Sequence, residues 1–219
     1  MDTVKIGIIG TGWVAEKMAI TLEGMEGVEA YAVASRQLQT ACDFADRWGF
    51  TRAYGSYEEM LDDEEVELVY IATPHSHHFE HARMSLLKGK AVLCEKAFTA
   101  NARQAEELLN LAKEKELFIT EAIWTRYMPL SHTINDLVTS GIIGRPMTLS
   151  ANLGYPIGNR ERLRQPALAG GALLDLGVYA LNFASMVFGT EVERVTSTCV
   201  KTDTGVDAQN SITLTFKDG

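Results

Sequence analysis

The opening stretch, "MDTVKIGIIGTGWVAEKM", constrains the fold more than any other part of the chain. An apolar run, "VKIGIIG", passes straight into Gly10, Thr11, Gly12, Trp13, Val14 and Ala15, a G-x-G-x-x-A spacing that opens a helix. In such a loop the first glycine permits a tight turn, the second lets the backbone approach a pyrophosphate, and the alanine lets helix and strand pack closely. Alone that spacing is a weak signal, and it gains weight from its frame. Up to about residue 122, apolar runs ("VEAYAVAS", "VELVYIAT", "KAVLCEK", "LFITEAI") alternate with helix-like segments. The runs mostly lack polar alternation, as expected of strands covered on both faces. Among the helical segments, "NARQAEELLNLAKEKE" places Leu108, Leu109 and Ala112 on one face, with Asn101 and Gln104 as a capping box. The alternation predicts an α/β unit over residues 1–122, a doubly wound parallel sheet of the Rossmann type.

Near residue 123 the texture changes. "MPLSHTINDLVTSGIIG" reads as a helix ended by glycine, "PMTLSANLGY" as a strand, and "LRQPALAGGALLDLGVYALNFASMVFG" as a loop leading into a buried helix. "VERVTSTCV" and "NSITLTFKDG" then alternate with period two and suit an antiparallel sheet with one face packed on helices. The expectation is a second, α+β unit over residues 123–219 with a largely antiparallel open sheet. "KDG" is a hairpin-turn signal with no returning strand, so this sheet is expected to be incomplete, either covered by a partner or cut from a longer protein.

A net charge of −9 argues against nucleic acid or an anionic membrane as the main partner. No run approaches the ~20 apolar residues of a membrane span, and the start lacks the basic and apolar regions of a secretory signal. Three cysteines without metal-like spacing (Cys42, Cys94, Cys199) fit reduced thiols. A cytoplasmic protein is expected.

Several residues carry chemistry. "VEAYAVASR" ends in Ser35 and Arg36, at the place where NAD-preferring sites carry an acid for the ribose 2′-hydroxyl. A hydroxyl and a planar guanidinium suit a 2′-phosphate instead, which favours NADP while leaving NAD compatible. "VLCEKAF" puts Glu95 and Lys96 at the carboxyl end of a buried strand, the edge where open α/β sheets bind ligands. "GGALLDLGVYALNFA" places Asp175 and Tyr179 four residues apart, on one face of an otherwise apolar helix. Four of the five histidines lie in "TPHSHHFEHARM", which contains H-x-x-E-H, a zinc-hydrolase spacing. No third ligand is marked by its context, so the favoured alternative is a cofactor loop. In that alternative Thr73, Pro74 and His75 face the nicotinamide ribose, the helix begins just beyond, His78 lies near the ligand edge, and His77 and His81 are helix-surface residues.

These motifs together resemble the Gfo/Idh/MocA oxidoreductase superfamily. The resemblance rests on "GIIGTGWVA", "YIATPHSHHFEHA", "CEKAF" and "GGALLDLGVY" and extends over essentially the whole chain. "EAIWTRYMP", and Tyr179 in place of a commoner histidine, are similar to the branch of dimeric dihydrodiol dehydrogenases and NADP-dependent D-xylose 1-dehydrogenases. The resemblance implies hydride transfer between a nicotinamide and a secondary alcohol of a sugar, polyol or trans-dihydrodiol. It also implies about a hundred further residues that complete a sheet through which members often form homodimers. Free tyrosine, with a pKa near 10, is a poor base at neutral pH, and a neighbouring ammonium favours tyrosinate. The implied roles are therefore Tyr179 as general acid/base, Lys96 as the cation that orients the substrate oxygen and tunes it, and Asp175 as their positioner. The reverse assignment of proton carrier, to Lys96, stays open. Trp124 and Arg126 are expected to line the nicotinamide and substrate cleft. Two positions depart from the family pattern. Ala97 follows the lysine where proline is usual, often through a cis bond, which is costly before alanine, and His75 replaces a common asparagine. A non-catalytic sensor that binds the same cofactor is the alternative function.

Overall fold

The computed structural model describes residues 3–217, which fall into two compact units that divide between Ala122 and Ile123. Asp218 and Gly219 of the expected terminal turn lie outside the described residues.

The first unit alternates strand and helix: β1 (Val4–Ile9), α1 (Trp13–Leu22), β2 (Val28–Ala34), α2 (Leu38–Trp48), β3 (Arg52–Tyr54), α3 (Tyr57–Asp62), β4 (Leu68–Ile71), α4 (His75–Leu87), β5 (Ala91–Cys94), α5 (Ala102–Glu114) and β6 (Ile119–Glu121). All strand pairs are parallel, in the order β3-β2-β1-β4-β5-β6. Strand β3 is an addition to the expected set: three residues are too few to show a period, and pairing with β2 makes them a strand.

Both sheet faces are covered, which explains the unbroken apolar runs. Ile6 and Ile8 of β1 point into one layer with Ala15, Ala19 and Phe44 of α1 and α2. Ile9 points into the other, with Met60, Leu86 and Leu108 of α3, α4 and α5. Gly7 lies on that second face, where a Cβ would meet Val66 Cγ1 at 3.0 Å. Helix α5 is capped by the predicted pair, with one arm displaced: Asn101 Oδ1 accepts from the Gln104 N–H (3.1 Å), while Gln104 Oε1 accepts from the Ala100 N–H (3.2 Å), one residue before the N-cap. Leu108 and Ala112 are buried, but Leu109 is exposed, so the apolar face is narrower than its sequence suggests.

The second unit begins with a 3-10 turn (Trp124–Tyr127) and α6 (Pro129–Thr139), which ends near Gly141 at φ +74°. A short helix α7 (Glu161–Arg164), a π-helical turn (Leu173–Gly177) and α8 (Val178–Phe188) follow, and β7 (Val192–Lys201) pairs antiparallel with β8 (Asp207–Phe216). "PMTLSANLGY" is not a strand: it pairs with no neighbour among the described residues, and Met147, Leu153 and Tyr155 are exposed. A strand without a ladder has nothing to hold its backbone donors and acceptors. Every residue of β7 is exposed, so the face expected to pack on helices is uncovered there. The stretch Pro166–Phe188 has the length and composition of a membrane span, a test that core helices also meet, and its backbone is interrupted at Ala169 (φ +52°) and Gly171 (φ +120°).

Candidate functional site

The strand order reverses between β1 and β4, and the crevice outside the carboxyl ends of such a pair is where doubly wound sheets receive ligands. The glycine loop leaves β1 at this edge. Gly10 adopts φ +104°, and a Cβ there would stand 3.0 Å from the Ala72 carbonyl oxygen at the end of β4. Only glycine meets both demands. Gly12, the N-cap of α1, has φ −83°, and nothing lies within 4 Å of its Cβ position, so any residue fits the backbone and the space is open. A helix start that keeps this space clear suits a pyrophosphate. Thr11 and Val14 are half-buried beside it, and Trp13 is exposed.

At the end of β2, the Ser35 N–H donates to the Tyr54 carbonyl (3.1 Å), while Arg36 is exposed. Burial pushes the Tyr57 phenol up, with the Arg36 charge opposing and the Glu58 charge adding to the shift.

The histidine segment differs from its expected form. Helix α4 begins at His75 itself, with Pro74 as N-cap, so only Thr73 and Pro74 remain in the loop. His75 is buried and His78 fully enclosed, and His81, expected on the helix surface, is buried as well. His78 instead joins two backbones. Its Nδ1 lies 2.7 Å from the Ala97 carbonyl oxygen and its Nε2 2.8 Å from that of Thr73. Both partners only accept, so both contacts are hydrogen bonds only when the ring carries two protons. Burial pushes its pKa down, and the two carbonyls oppose the shift. His81 Nδ1 pairs with Thr73 Oγ1 (3.0 Å), and burial lowers its pKa to about 4. The His77 and His81 rings lie 5.8 Å apart, and among the described residues no group of three His, Cys, Asp or Glu side chains is placed to hold a metal ion.

Glu95 and Lys96 follow β5, and the Lys96–Ala97 peptide bond is cis. Glu95 accepts from the Tyr70 hydroxyl and, at Oε2, from the Lys96 N–H (3.2 Å). Burial pushes the Glu95 carboxyl up, opposed by those two donors and by the Lys96 charge. A second carboxylate, missed in the sequence, completes the cluster: Glu121 at the end of β6 accepts from the Phe98 N–H (2.9 Å). Burial raises its pKa too, with the Phe98 N–H and the Lys96 charge opposing. Two neighbouring strands that each end near a glutamate were the available signal.

In the second unit, Asp175 lies within the π-helical turn and Tyr179 in the following α-helix, so the single α-helical face expected for them is a junction of two helix types. Asp175 is 4% exposed and its Oδ1 accepts from Arg162 Nη2 (3.0 Å). Trp124 and Tyr179 are brought together: the indole Nε1–H donates to the Tyr179 oxygen (3.1 Å), with the rings edge to face at 6.3 Å. A phenol that accepts through its oxygen keeps its own O–H as a donor. Arg126 is exposed in the same 3-10 turn as Trp124.

Residues 4–122 match the family model described as an oxidoreductase family with an NAD-binding Rossmann fold, and residues 131–219 match the Gfo/Idh/MocA C-terminal domain. The chain belongs to the Gfo/Idh/MocA oxidoreductase family. Relatives within it include the trans-1,2-dihydrobenzene-1,2-diol dehydrogenase of Danio rerio, 36% identical over 96% of this chain and 64% of its own length. The D-xylose 1-dehydrogenase (NADP(+)) of Hypocrea jecorina is 39% identical, with 98% of this chain and 62% of its own length covered. The chain thus spans about 64% of the length of the first of these relatives. Among solved structures, a 3-ketoreductase from Actinomadura kijaniata in complex with NADP superposes over all of this chain and 66% of its own, at TM-score 0.86 and 29% identity. A levoglucosan dehydrogenase complex with NADH shares the fold, with TM-score 0.89 at 21% identity over all of this chain and 65% of its own. Family membership accounts for the Rossmann unit and for the glycine loop at the start of α1.

Proposed function

We propose that this chain carries the dinucleotide-binding and catalytic residues of an NADP-dependent dehydrogenase that acts on a secondary alcohol of a sugar, polyol or trans-dihydrodiol. The observation that carries this reading is the loop at the switch point: Gly10 in a conformation that glycine adopts readily, and Gly12 with open space at a helix start. Gly10, Thr11, Gly12, Trp13 and Val14 hold the pyrophosphate, Ser35 and Arg36 the 2′-phosphate, and Thr73, Pro74 and Glu95 the nicotinamide half. When bound, the nicotinamide supplies the hydride acceptor or donor. Tyr179 moves the hydroxyl proton, with the Trp124 N–H on its oxygen favouring the anionic form during transfer. Lys96 stabilises charge that develops on the substrate oxygen, and Asp175, held by Arg162, positions the helix start that leads to Tyr179.

The relatives' names support the substrate class and NADP, and the exposed Arg36 guanidinium with no acid beside it in sequence supports NADP over NAD. Three free cysteines support a reducing, cytoplasmic setting, and the uncovered β7 supports assembly as a homodimer.

The test is a panel of aldoses, polyols and dihydrodiols followed by NADPH and NADH absorbance, with Tyr179→Phe and Lys96→Met in parallel. Both variants are expected to lose turnover while retaining dinucleotide affinity. Near wild-type rates in both would refute these roles, and dinucleotide binding without turnover across the panel would mark a non-catalytic binder.

A further inference from the structure

The three-residue turn from Lys96 to Phe98 is held by partners at successive backbone groups. The Lys96 N–H donates to Glu95 Oε2 (3.2 Å), the Ala97 carbonyl faces His78 Nδ1 (2.7 Å), and the Phe98 N–H donates to Glu121 Oε1 (2.9 Å). The Phe98 carbonyl accepts from the Cys94 thiol at 3.7 Å. Ala97 has no ring to fix its φ, so side-chain hydrogen bonds take over the task of setting the backbone. Among these partners Glu121 is distinctive. It comes from a different strand, β6, where it registers opposite Cys94, so it ties the turn to the sheet and not to the turn's own flanks.

We propose that Glu121 is a positioning residue for Lys96: by accepting the Phe98 N–H it fixes the turn from which the lysine side chain departs. This rests on the reading that Lys96 acts in the reaction. Glu121 acts through its acceptor oxygen, which glutamine reproduces and methionine, of similar length, does not. A partly buried N–H deprived of its acceptor draws the turn toward another partner, and the direction of Lys96 changes with it.

The experiment uses the full-length protein, with lysines methylated by ¹³C-formaldehyde and the Lys96 signal assigned by Lys96→Met. Glu121→Gln removes the carboxylate charge that interacts with Lys96 but keeps the acceptor, so its Lys96 resonance is the reference against which the acceptor-less variant is read. Glu121→Met is expected to move the resonance from there toward the position of a solvent-exposed lysine. With NADP and D-xylose, kcat is expected to fall at least tenfold in Glu121→Met and to stay within about twofold in Glu121→Gln, the KM for NADP holding in both. Should Glu121→Met not fold, Glu121→Ser, whose hydroxyl is too short to span the gap, is measured in its place. An unmoved Lys96 signal in the acceptor-less variant, or a Glu121→Gln protein that behaves like it, overturns the proposal. If instead Lys96→Met keeps full turnover, the functional reading fails while the resonance still decides the role of Glu121.

Discussion

Gly10 and Gly12 stand two residues apart in one loop, yet alanine at each should fail in a different way. At Gly10 the backbone sits at φ +104°, outside the left-handed region that L-residues reach, and a Cβ would stand 3.0 Å from the Ala72 carbonyl oxygen and 3.4 Å from Thr73 Cγ2. Such backbone strain costs on the order of 1–3 kcal/mol before any steric push on β4 is added. Thermal unfolding of the unliganded Gly10→Ala protein is therefore expected to drop by roughly 3–10 °C. At Gly12 the backbone, φ −83° and ψ −178°, is one that alanine adopts, and the Cβ position is open. Alanine reduces the freedom of the unfolded chain, a gain of about 0.4–1 kcal/mol. It is also a poorer N-cap than glycine by a similar amount, so the unliganded stability should hold within about 1 kcal/mol. The methyl group instead occupies the space left for a pyrophosphate. Loss of one charge-assisted hydrogen bond, about 1.5–3 kcal/mol, would weaken NADPH binding roughly 10- to 150-fold. Calorimetry of the unliganded proteins and a fluorescence titration with NADPH separate the two effects. If Gly12→Ala unfolds as early as Gly10→Ala, or binds NADPH as tightly as the parent, the open space at Gly12 is not a ligand's.

Arg36→Ala should weaken NADPH binding at least tenfold, as expected for the loss of a charge-assisted phosphate contact, and change NADH binding within about twofold. Equal losses in the paired titrations would remove the 2′-phosphate from its role. Acid should act through His81, whose pKa is lowered from 6.5 to about 4 chiefly by burial, with His77 and His78 adding to the effect and Glu58 opposing it. Its stabilising effect is complete above pH 6.5. It declines as the pH falls from there toward 4, because the unfolded chain takes up the proton that the folded one refuses. At about 1.36 kcal/mol per pKa unit, discounted for the ring's residual solvation, the loss amounts to about 2–3 kcal/mol. Urea titrations at pH 7.5, 5.5 and 4.5 should show His81→Gln losing less stability than the parent over that interval, and parallel curves would disprove the linkage.

What was legible in the sequence is what the backbone itself demands. A positive φ requires glycine at position 10, two covered faces require Ile8 and Ile9 side by side, and a helix start requires a cap such as Asn101. These requirements are local and leave their mark residue by residue. What stayed hidden depends on a partner distant in sequence. "PMTLSANLGY" has a strand's composition without a strand's neighbour, whereas Arg52, Ala53 and Tyr54 have the neighbour without a visible pattern. The same division runs through the candidate site. Lys96 and Tyr179 stood out by type and placement, but His78 read as an edge residue because its two acceptors, Thr73 and Ala97, are carbonyls that any sequence supplies. Glu121 read as nothing, since a glutamate at a strand end is commonplace until Phe98 is found donating to it. Reacting groups are chosen for their side chains and are visible in a sequence. The groups proposed to aim them are chosen for where the backbone passes, and that requires the fold.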